Sequence, residues 1–207
     1  DMGVSDGKER VRKFVNSIFT FFVIGMFVSC SVAYLLMPFL AAYIVPGFSM
    51  EAQSEFVSLS RILLLSPLLL GLSNLFGAVT QSLRRFFVFA AGPLLYNIGI
   101  ISGIVWLMPS MGLTGIALGV LLGALLHLLI QLPVLIGERI VPKLTLSPDI
   151  RALKNVTLLS VPRTIALSAT HLSTIILLAI ASSIEGGAIA VFMLAFNLQS
   201  IPLSIVG

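Results

Sequence analysis

The chain has 207 residues, of which 58% are hydrophobic and 10% are charged, and its formal net charge is +4. Its mean hydropathy is +1.12. Soluble domains carry about 25% charged residues, so this composition excludes an ordinary soluble fold and predicts an all-α, polytopic transmembrane helix bundle. A membrane β-barrel would show segments of about ten residues with alternating polarity, and the sequence has no such segments.

Six apolar runs approach or exceed the ~20 residues that a helix needs to cross the hydrocarbon of a bilayer. In chain order, the predicted spans are Phe14–Ile44, Phe56–Leu83, Phe86–Met108, Leu113–Ile136, Val156–Ala181 and Ile189–Gly207. The first run is longer than a span requires, so Pro38 predicts a kink or the end of that helix. The polar start and apolar end of the chain indicate a piece of a larger protein.

Lysine and arginine are distributed unequally between the two sides of these spans. One side, formed by the N-terminal arm and the second and fourth connections, carries ten cations: Lys8, Arg10, Arg12, Lys13, Arg84, Arg85, Arg139, Lys143, Arg151 and Lys154. The first, third and fifth connections carry none, and contain Glu51, Glu55 and Glu185 instead. The positive-inside rule therefore places the N-terminal arm in the cytoplasm.

The long fourth connection predicts a boundary between domains. In "SPDIRALKN", Ser147 stands at an N-cap position, Pro148 at the first helical position and Asp149 in the first turn. This pattern predicts a short interfacial helix. We interpret residues 1–137 as four helices of one lobe, 138–155 as a cytoplasmic joint with a short amphipathic helix, and 156–207 as two helices of a second lobe. A plain loop is the alternative.

Small residues recur at helical spacing in two spans. Gly115, Gly119 and Gly123 stand every fourth residue in the fourth span, and Gly99 and Gly103 do so in the third. Glycines at this spacing allow close helix packing in lipid. The pattern favours packing within the bundle over a dimer interface.

Polar residues inside membrane spans usually face protein or water. The fifth span, "LSVPRTIALSATHLSTIILLAI", places Thr164, Ser168 and His171 close to one helix face, with Arg163 at its edge near the cytoplasmic end. We expect this face either to line a water-filled cavity or to form interhelical hydrogen bonds. Arg61 is expected to extend its head toward the membrane surface.

Two asparagines lie near prolines in the third and sixth spans. Asn97 follows Pro93 and Asn197 precedes Pro202. A proline inside a span frees a backbone carbonyl that a nearby polar side chain can satisfy, and bent helices of this kind often line transport pathways. The candidate cavity residues are therefore Arg163, His171, Asn97, Asn197, Ser168 and Thr164.

The sequence contains no recognised catalytic constellation. The histidines His127 and His171 lie on different spans without a carboxylate at metal-ligand spacing, and there is no nucleotide-binding loop, HExxH or Gly-x-Ser-x-Gly motif. We therefore expect neither an enzyme nor a cofactor or metal site, and no nucleic-acid partner.

Four segments in order carry a resemblance: "VPGF" (45–48), "GPLLYNIG" (92–99), "QLPVLI" (131–136) and "SIEGGAIAVFMLAFNLQSIPLSIVG" (183–207). Together they resemble the MurJ/MviN family of lipid II flippases, within the multidrug/oligosaccharidyl-lipid/polysaccharide exporter superfamily. The resemblance covers nearly the whole chain and implies a fragment corresponding to helices three to eight of a two-lobe transporter in the bacterial cytoplasmic membrane.

The resemblance implies export of the lipid-linked peptidoglycan precursor for cell wall synthesis by alternating access, with membrane lipids as further partners. It leaves open a coupling ion, the membrane potential and cell-wall synthesis proteins as partners. Two positions depart from the family pattern, because Asn197 stands where some members carry a cavity arginine and Leu177 where some carry an acidic or amide residue. The alternatives are a polysaccharide-lipid flippase, a cation-coupled drug exporter of the same superfamily, and a non-transporting membrane scaffold.

Overall fold

The computed structural model describes the backbone of residues 2–184 and 186–206, and the side chains of residues 11–151, 153–184 and 186–200. The described residues are almost entirely helical. The helices are α1 (Met2–Ile44), α2 (Met50–Leu63), α3 (Leu65–Ser82), α4 (Phe86–Ser102), α5 (Met108–Met111), α6 (Leu113–Leu129), α7 (Leu132–Gly137), α8 (Ile150–Ser182) and α9 (Ala188–Val206). A π-helical turn, Gly103–Leu107, joins α4 to α5.

Five stretches of the described chain are long and apolar enough to cross a membrane. They are Val11–Ile44, Met50–Ser82, Phe86–Met111, Leu113–Gly137 and Leu153–Ser182. They correspond to the first five predicted spans, and α9 corresponds to the sixth. The predicted all-α, polytopic architecture is therefore confirmed. Glu185, in the connection before α9, and Gly207 lie outside the described residues.

Prolines affect these helices differently. Helix α1 continues to Ile44, six residues past Pro38, so of the two predicted effects, a kink or the end of the helix, the end is excluded and the kink stays a prediction. The second span is interrupted at Leu64, between α2 and α3. Pro67 explains this break, because its missing N–H leaves the carbonyl of Leu63 without its usual helical partner and its ring crowds that carbonyl.

The chain divides into two compact units, residues 1–35 with 59–158 and residues 36–58 with 159–207. In the first unit, the connection after α7 lies along α1. Three of its backbone N–H groups donate to side chains of α1, each over 2.9 Å: Lys143 to Asn16, Thr145 to Thr20 and Asp149 to Ser17. Because Ser17 and Thr20 donate in turn to carbonyls of their own helix, each hydroxyl joins the two segments.

Helix α8 begins at Ile150, where the side chain of Asp149 accepts the N–H of Arg151 over 3.0 Å. Asp149 is therefore the N-cap, and the predicted N-cap at Ser147 is wrong. Residues 150–155 form the first turns of α8 rather than a separate short helix, because nothing between Ile150 and Val156 interrupts helical hydrogen bonding. The assignment of residues 138–155 as a joint between two lobes stays a prediction.

In the second unit, the loop after α1 packs against the end of α8. The N–H of Gly47 donates to the hydroxyl of Ser182 over 3.3 Å. A side chain at position 47 would collide with the backbone of Ser182 and Ser183. The same loop is held by Gln53, whose side-chain amide donates to the carbonyls of Val45 and Phe48.

Glycine contacts join the third and fourth spans within the first unit. A Cβ built on Gly103 would lie 2.9 Å from the carbonyl oxygen of Gly115, and one on Gly119 would lie 2.6 Å from the Cα of Gly103. Gly99 and the backbone of Gly123 meet in the same way. The prediction of close packing within the bundle is confirmed, because these distances leave no room for a Cβ.

We predict that Gly119→Val destabilises the full-length protein by about 1–3 kcal/mol, because added methyl groups must separate two backbones that now touch. The measurement is the thermal unfolding midpoint of purified protein in detergent. Gly25→Val is the matched control, since nothing lies within 4 Å of a Cβ at that position. Equal midpoints for the two variants would contradict the packing argument.

Candidate functional site

The polar face of α8 is the main candidate site in the second unit. Arg163, Thr164, Ser168 and His171 are all exposed within the described chain. At about 100° per residue, Thr164, Ser168 and His171 fall within an arc of roughly 60°, and Arg163 lies about 80° from His171. The structure therefore places these four residues on neighbouring parts of one helix surface.

The hydroxyl groups of this face donate to their own helix. Thr164 donates to the carbonyl of Ser160 over 2.9 Å, and Ser168 donates to the carbonyl of Thr164 over 2.8 Å. Within the described part of the chain, none of these hydroxyls bonds to another helix. Because each hydroxyl uses its single proton locally, its oxygen remains an acceptor for donors outside the helix. Both alternatives for this face, the lining of a water-filled cavity and hydrogen bonds to another helix, stay predictions.

Arg163 supplies the only cation among the described residues between Val156 and Ser200. Neither Arg163 nor His171 forms a hydrogen bond or an ion pair within the described part of the chain. A guanidinium group carries five N–H donors in a planar arrangement that matches a phosphate or carboxylate. The exposed surface of α8 thus combines hydroxyl acceptors with a cationic donor.

The two asparagines occupy different positions. Asn97 is exposed on α4 in the first unit, and its side chain donates to the carbonyl of Pro93 over 2.9 Å. It therefore does not satisfy the carbonyl of Phe89, which is the one that Pro93 frees. Asn197 is exposed on α9 in the second unit, where its carbonyl accepts the hydroxyl of Ser200. The side chain of Pro202 lies outside the described residues.

The first unit contains a buried polar cluster that the sequence analysis did not predict. Its members are Ser73 on α3, His127 on α6 and Gln131, which directly precedes α7. The hydroxyl of Ser73 lies 2.5 Å from Nδ1 of His127 and 2.8 Å from the carbonyl of the same residue. The Gln131 amide donates to this hydroxyl over 2.6 Å. One hydroxyl thereby links α3 to two turns of the fourth span.

The hydrogen bonds of the Ser73 hydroxyl are linked to the tautomer of His127. A serine hydroxyl has one proton and can accept two hydrogen bonds. If that proton goes to the carbonyl of His127, both Gln131 and Nδ1 must donate to the oxygen, so the imidazole carries its proton on Nδ1. Its other nitrogen, Nε2, lies against Gly92, where a Cβ would stand 2.8 Å away.

One polar atom of the cluster is unsatisfied among the described residues. Oε1 of Gln131 is buried and has no hydrogen-bond partner among the described residues. The helical spacing of His127 and Gln131, four residues apart in an apolar run, is the sequence signal that could have located this cluster. The position of Ser73, 54 residues earlier than His127, has no such signal.

We predict that Ser73→Ala destabilises the protein by about 1–3 kcal/mol, because it leaves Nδ1 of His127 and the Gln131 amide buried without a partner. Thermal unfolding in detergent measures the change. Ser102→Ala is the control, since this exposed hydroxyl bonds only to its own helix. A loss in Ser73→Ala no larger than in the control would show that the cluster contributes nothing to stability.

The helices, their apolar length and the polar face of α8 define a polytopic helical membrane protein. The sequence model of the family described as Lipid II flippase MurJ matches residues 3–207. The chain therefore belongs to the MurJ family. It is 32% identical over 158 residues to the Lipid II flippase MurJ of Burkholderia cenocepacia, an alignment that covers 73% of this chain and 30% of that protein. The chain spans about 30% of the length of this curated relative.

Proposed function

We propose that the protein containing this chain moves a lipid-linked peptidoglycan precursor, lipid II, across the bacterial cytoplasmic membrane. The observation that carries this proposal is the match to the MurJ family over residues 3–207. The protein acts as a transporter and not as an enzyme, since flipping makes and breaks no bond. Membership of this family favours the lipid II cargo over a drug or a polysaccharide-lipid.

The chemistry of the cargo explains the use of a polar helix face. The head group of lipid II carries a pyrophosphate and sugars, and moving such groups through hydrocarbon without partners is strongly unfavourable. The hydroxyl oxygens of Thr164 and Ser168 accept hydrogen bonds from sugar hydroxyls, and Arg163 donates to the pyrophosphate. His171 lies about two turns further along the same face. Asn97 and Asn197 are the further candidates for contact with the head group.

Alternating access requires that this surface open to each side of the membrane in turn while the lipid tail stays in the bilayer. The ten-to-none distribution of cations supports a cytoplasmic location for the N-terminal arm and the connection after α7. Arg163 then lies toward the cytoplasmic end of α8, where the head group enters. The membrane potential or a coupling ion supplies the driving force.

We predict that Arg163→Ala in the full-length protein lowers the flipping rate about tenfold, because charge-assisted hydrogen bonds contribute about 1.5–3 kcal/mol. Flipping is measured as accessibility of lipid II in proteoliposomes to a reagent added on one side. Arg163→Lys is expected to keep part of the flipping rate, because lysine keeps the positive charge but lacks the planar pair of guanidinium N–H donors. Arg151→Ala, twelve residues earlier on α8, is the control with unchanged flipping. Full activity of a folded Arg163→Ala variant excludes this residue from the mechanism.

Water access to α8 provides a test that does not depend on transport. We predict that Thr164→Cys and Ser168→Cys react with a membrane-impermeant thiol reagent in a full-length protein without other cysteines, Cys30 included. Ala166→Cys, about 200° around the helix from position 164, is expected to react at least tenfold more slowly. Equal reaction at positions 166 and 168 would mean that the polar face lines no cavity.

A further inference from the structure

A groove in the first unit lies between α1, α3 and α6. Its volume is about 590 Å³. Ligand sites in proteins have volumes of about 300–1,000 Å³. The wall is mostly apolar, and its largest hydrophobic members are Phe27, Leu35, Ile62, Leu65, Leu68 and Leu121. Several of these are exposed, including Phe27 at 68% and Leu65 at 52%.

One cation stands at the rim of this groove. The Nε–H of Arg61 donates to the carbonyl of Tyr34 over 3.3 Å, and its guanidinium carbon lies 4.5 Å from the centre of the Tyr34 ring. These contacts hold the guanidinium in one orientation, whereas an arginine that only reached for the surface would need no such partners. In the described part of the chain no carboxylate forms an ion pair with Arg61. Its terminal NH₂ groups therefore remain donors.

The rim coincides with the edge of an apolar segment. Residues 50–61 include Glu51, Gln53 and Glu55, whereas residues 62–83 contain no charged residue. Those 22 residues correspond to about 33 Å of helix, close to the thickness of a hydrocarbon core. Arg61 thus lies where polar head groups begin. Phe27 stands seven residues before Tyr34, so the groove extends roughly 10 Å from the rim into the hydrocarbon.

Although the second span is broken beside the groove, the groove wall stays suitable for a hydrocarbon chain. The carbonyl of Leu64, at the interruption between α2 and α3, accepts the thiol of Cys30 over 3.4 Å. This contact gives a backbone oxygen at the break a side-chain partner beside the groove. Apolar side chains cover most of the remaining wall.

We propose that this groove binds one membrane phospholipid with an anionic head group. Its phosphate accepts hydrogen bonds from the terminal NH₂ groups of Arg61, and an acyl chain lies against Leu65 and Leu68. The positive charge beside an apolar groove at the membrane surface selects this occupant, because neither a soluble anion nor a neutral lipid complements both features. The site does not depend on the flipping proposed above, since it uses none of the same residues.

The test is native mass spectrometry of the full-length protein with phosphatidylglycerol and with phosphatidylcholine of the same chain length. The wild type is expected to retain one phosphatidylglycerol in preference to phosphatidylcholine. Arg61→Gln is expected to lower that preference about fivefold, the factor expected for one cation near a membrane surface. Leu68→Trp is expected to lower binding by filling the groove. Arg84→Gln, on the side opposite Arg61, is the control without effect.

Three outcomes overturn the proposal. The first is an absence of preference for phosphatidylglycerol in the wild type, and the second is a preference unchanged in Arg61→Gln. The third is a loss in Arg61→Gln but not in Leu68→Trp, which indicates attraction of the head group without occupation of the groove. Arg61→Lys keeps the positive charge but loses the stacking on Tyr34, so it is expected to keep part of the preference for phosphatidylglycerol. This variant serves as the test if Arg61→Gln does not fold.

A photo-crosslinker tests which molecule occupies the groove. With p-benzoylphenylalanine at Leu65, the full-length protein is expected to crosslink to phosphatidylglycerol, and Arg61→Gln to reduce that yield. At Leu94, which is 67% exposed and outside the groove, Arg61→Gln is expected to leave the yield unchanged. Crosslinking of position 65 to another part of the protein or to a second copy overturns the proposal.

Discussion

The absence of water from the hydrocarbon core is the constraint on which the rest of this structure depends. Every backbone polar group there must find its partner within the protein, so the spans are helices, and many of their hydroxyl side chains bond to carbonyls of the same helix. Thr164 and Ser168 follow this rule. Where Pro67 interrupts a span, the thiol of Cys30 contacts the carbonyl of Leu64. A polar helix face can therefore exist without losing helical structure.

Lipid provides no hydrophobic force that brings helices together, so contacts of other kinds join them. In the first unit, glycines of α6 meet Gly99 and Gly103, and the backbones approach until no Cβ would fit. The Ser73 hydroxyl then links α3 to His127 and Gln131. The same unit uses hydroxyls of α1 to hold the connection before α8. Close backbone packing and buried hydrogen bonds together replace the apolar core of a soluble protein.

Much of the candidate site follows from local sequence, since helical periodicity alone places Thr164, Ser168 and His171 on one face. The bonding of these groups does not follow from the periodicity. Hydroxyls at this spacing can bond to a neighbouring helix or to their own, and the structure shows the second arrangement. Likewise the proximity of Asn97 to Pro93 predicted a partner for a freed carbonyl, yet the amide bonds to a different one.

The sequence by itself determined the fold class, the approximate bounds of the first five spans and the family, because hydropathy and local motifs act over a few turns of helix. It also indicated glycine packing within the bundle, since glycines at a four-residue spacing let helix backbones approach closely in lipid. Only the tertiary structure decided that Ser73 meets His127, that Tyr34 holds Arg61 and that α8 starts at Ile150. The first two contacts join residues 54 and 27 positions apart, and no local pattern specifies which helix faces will meet.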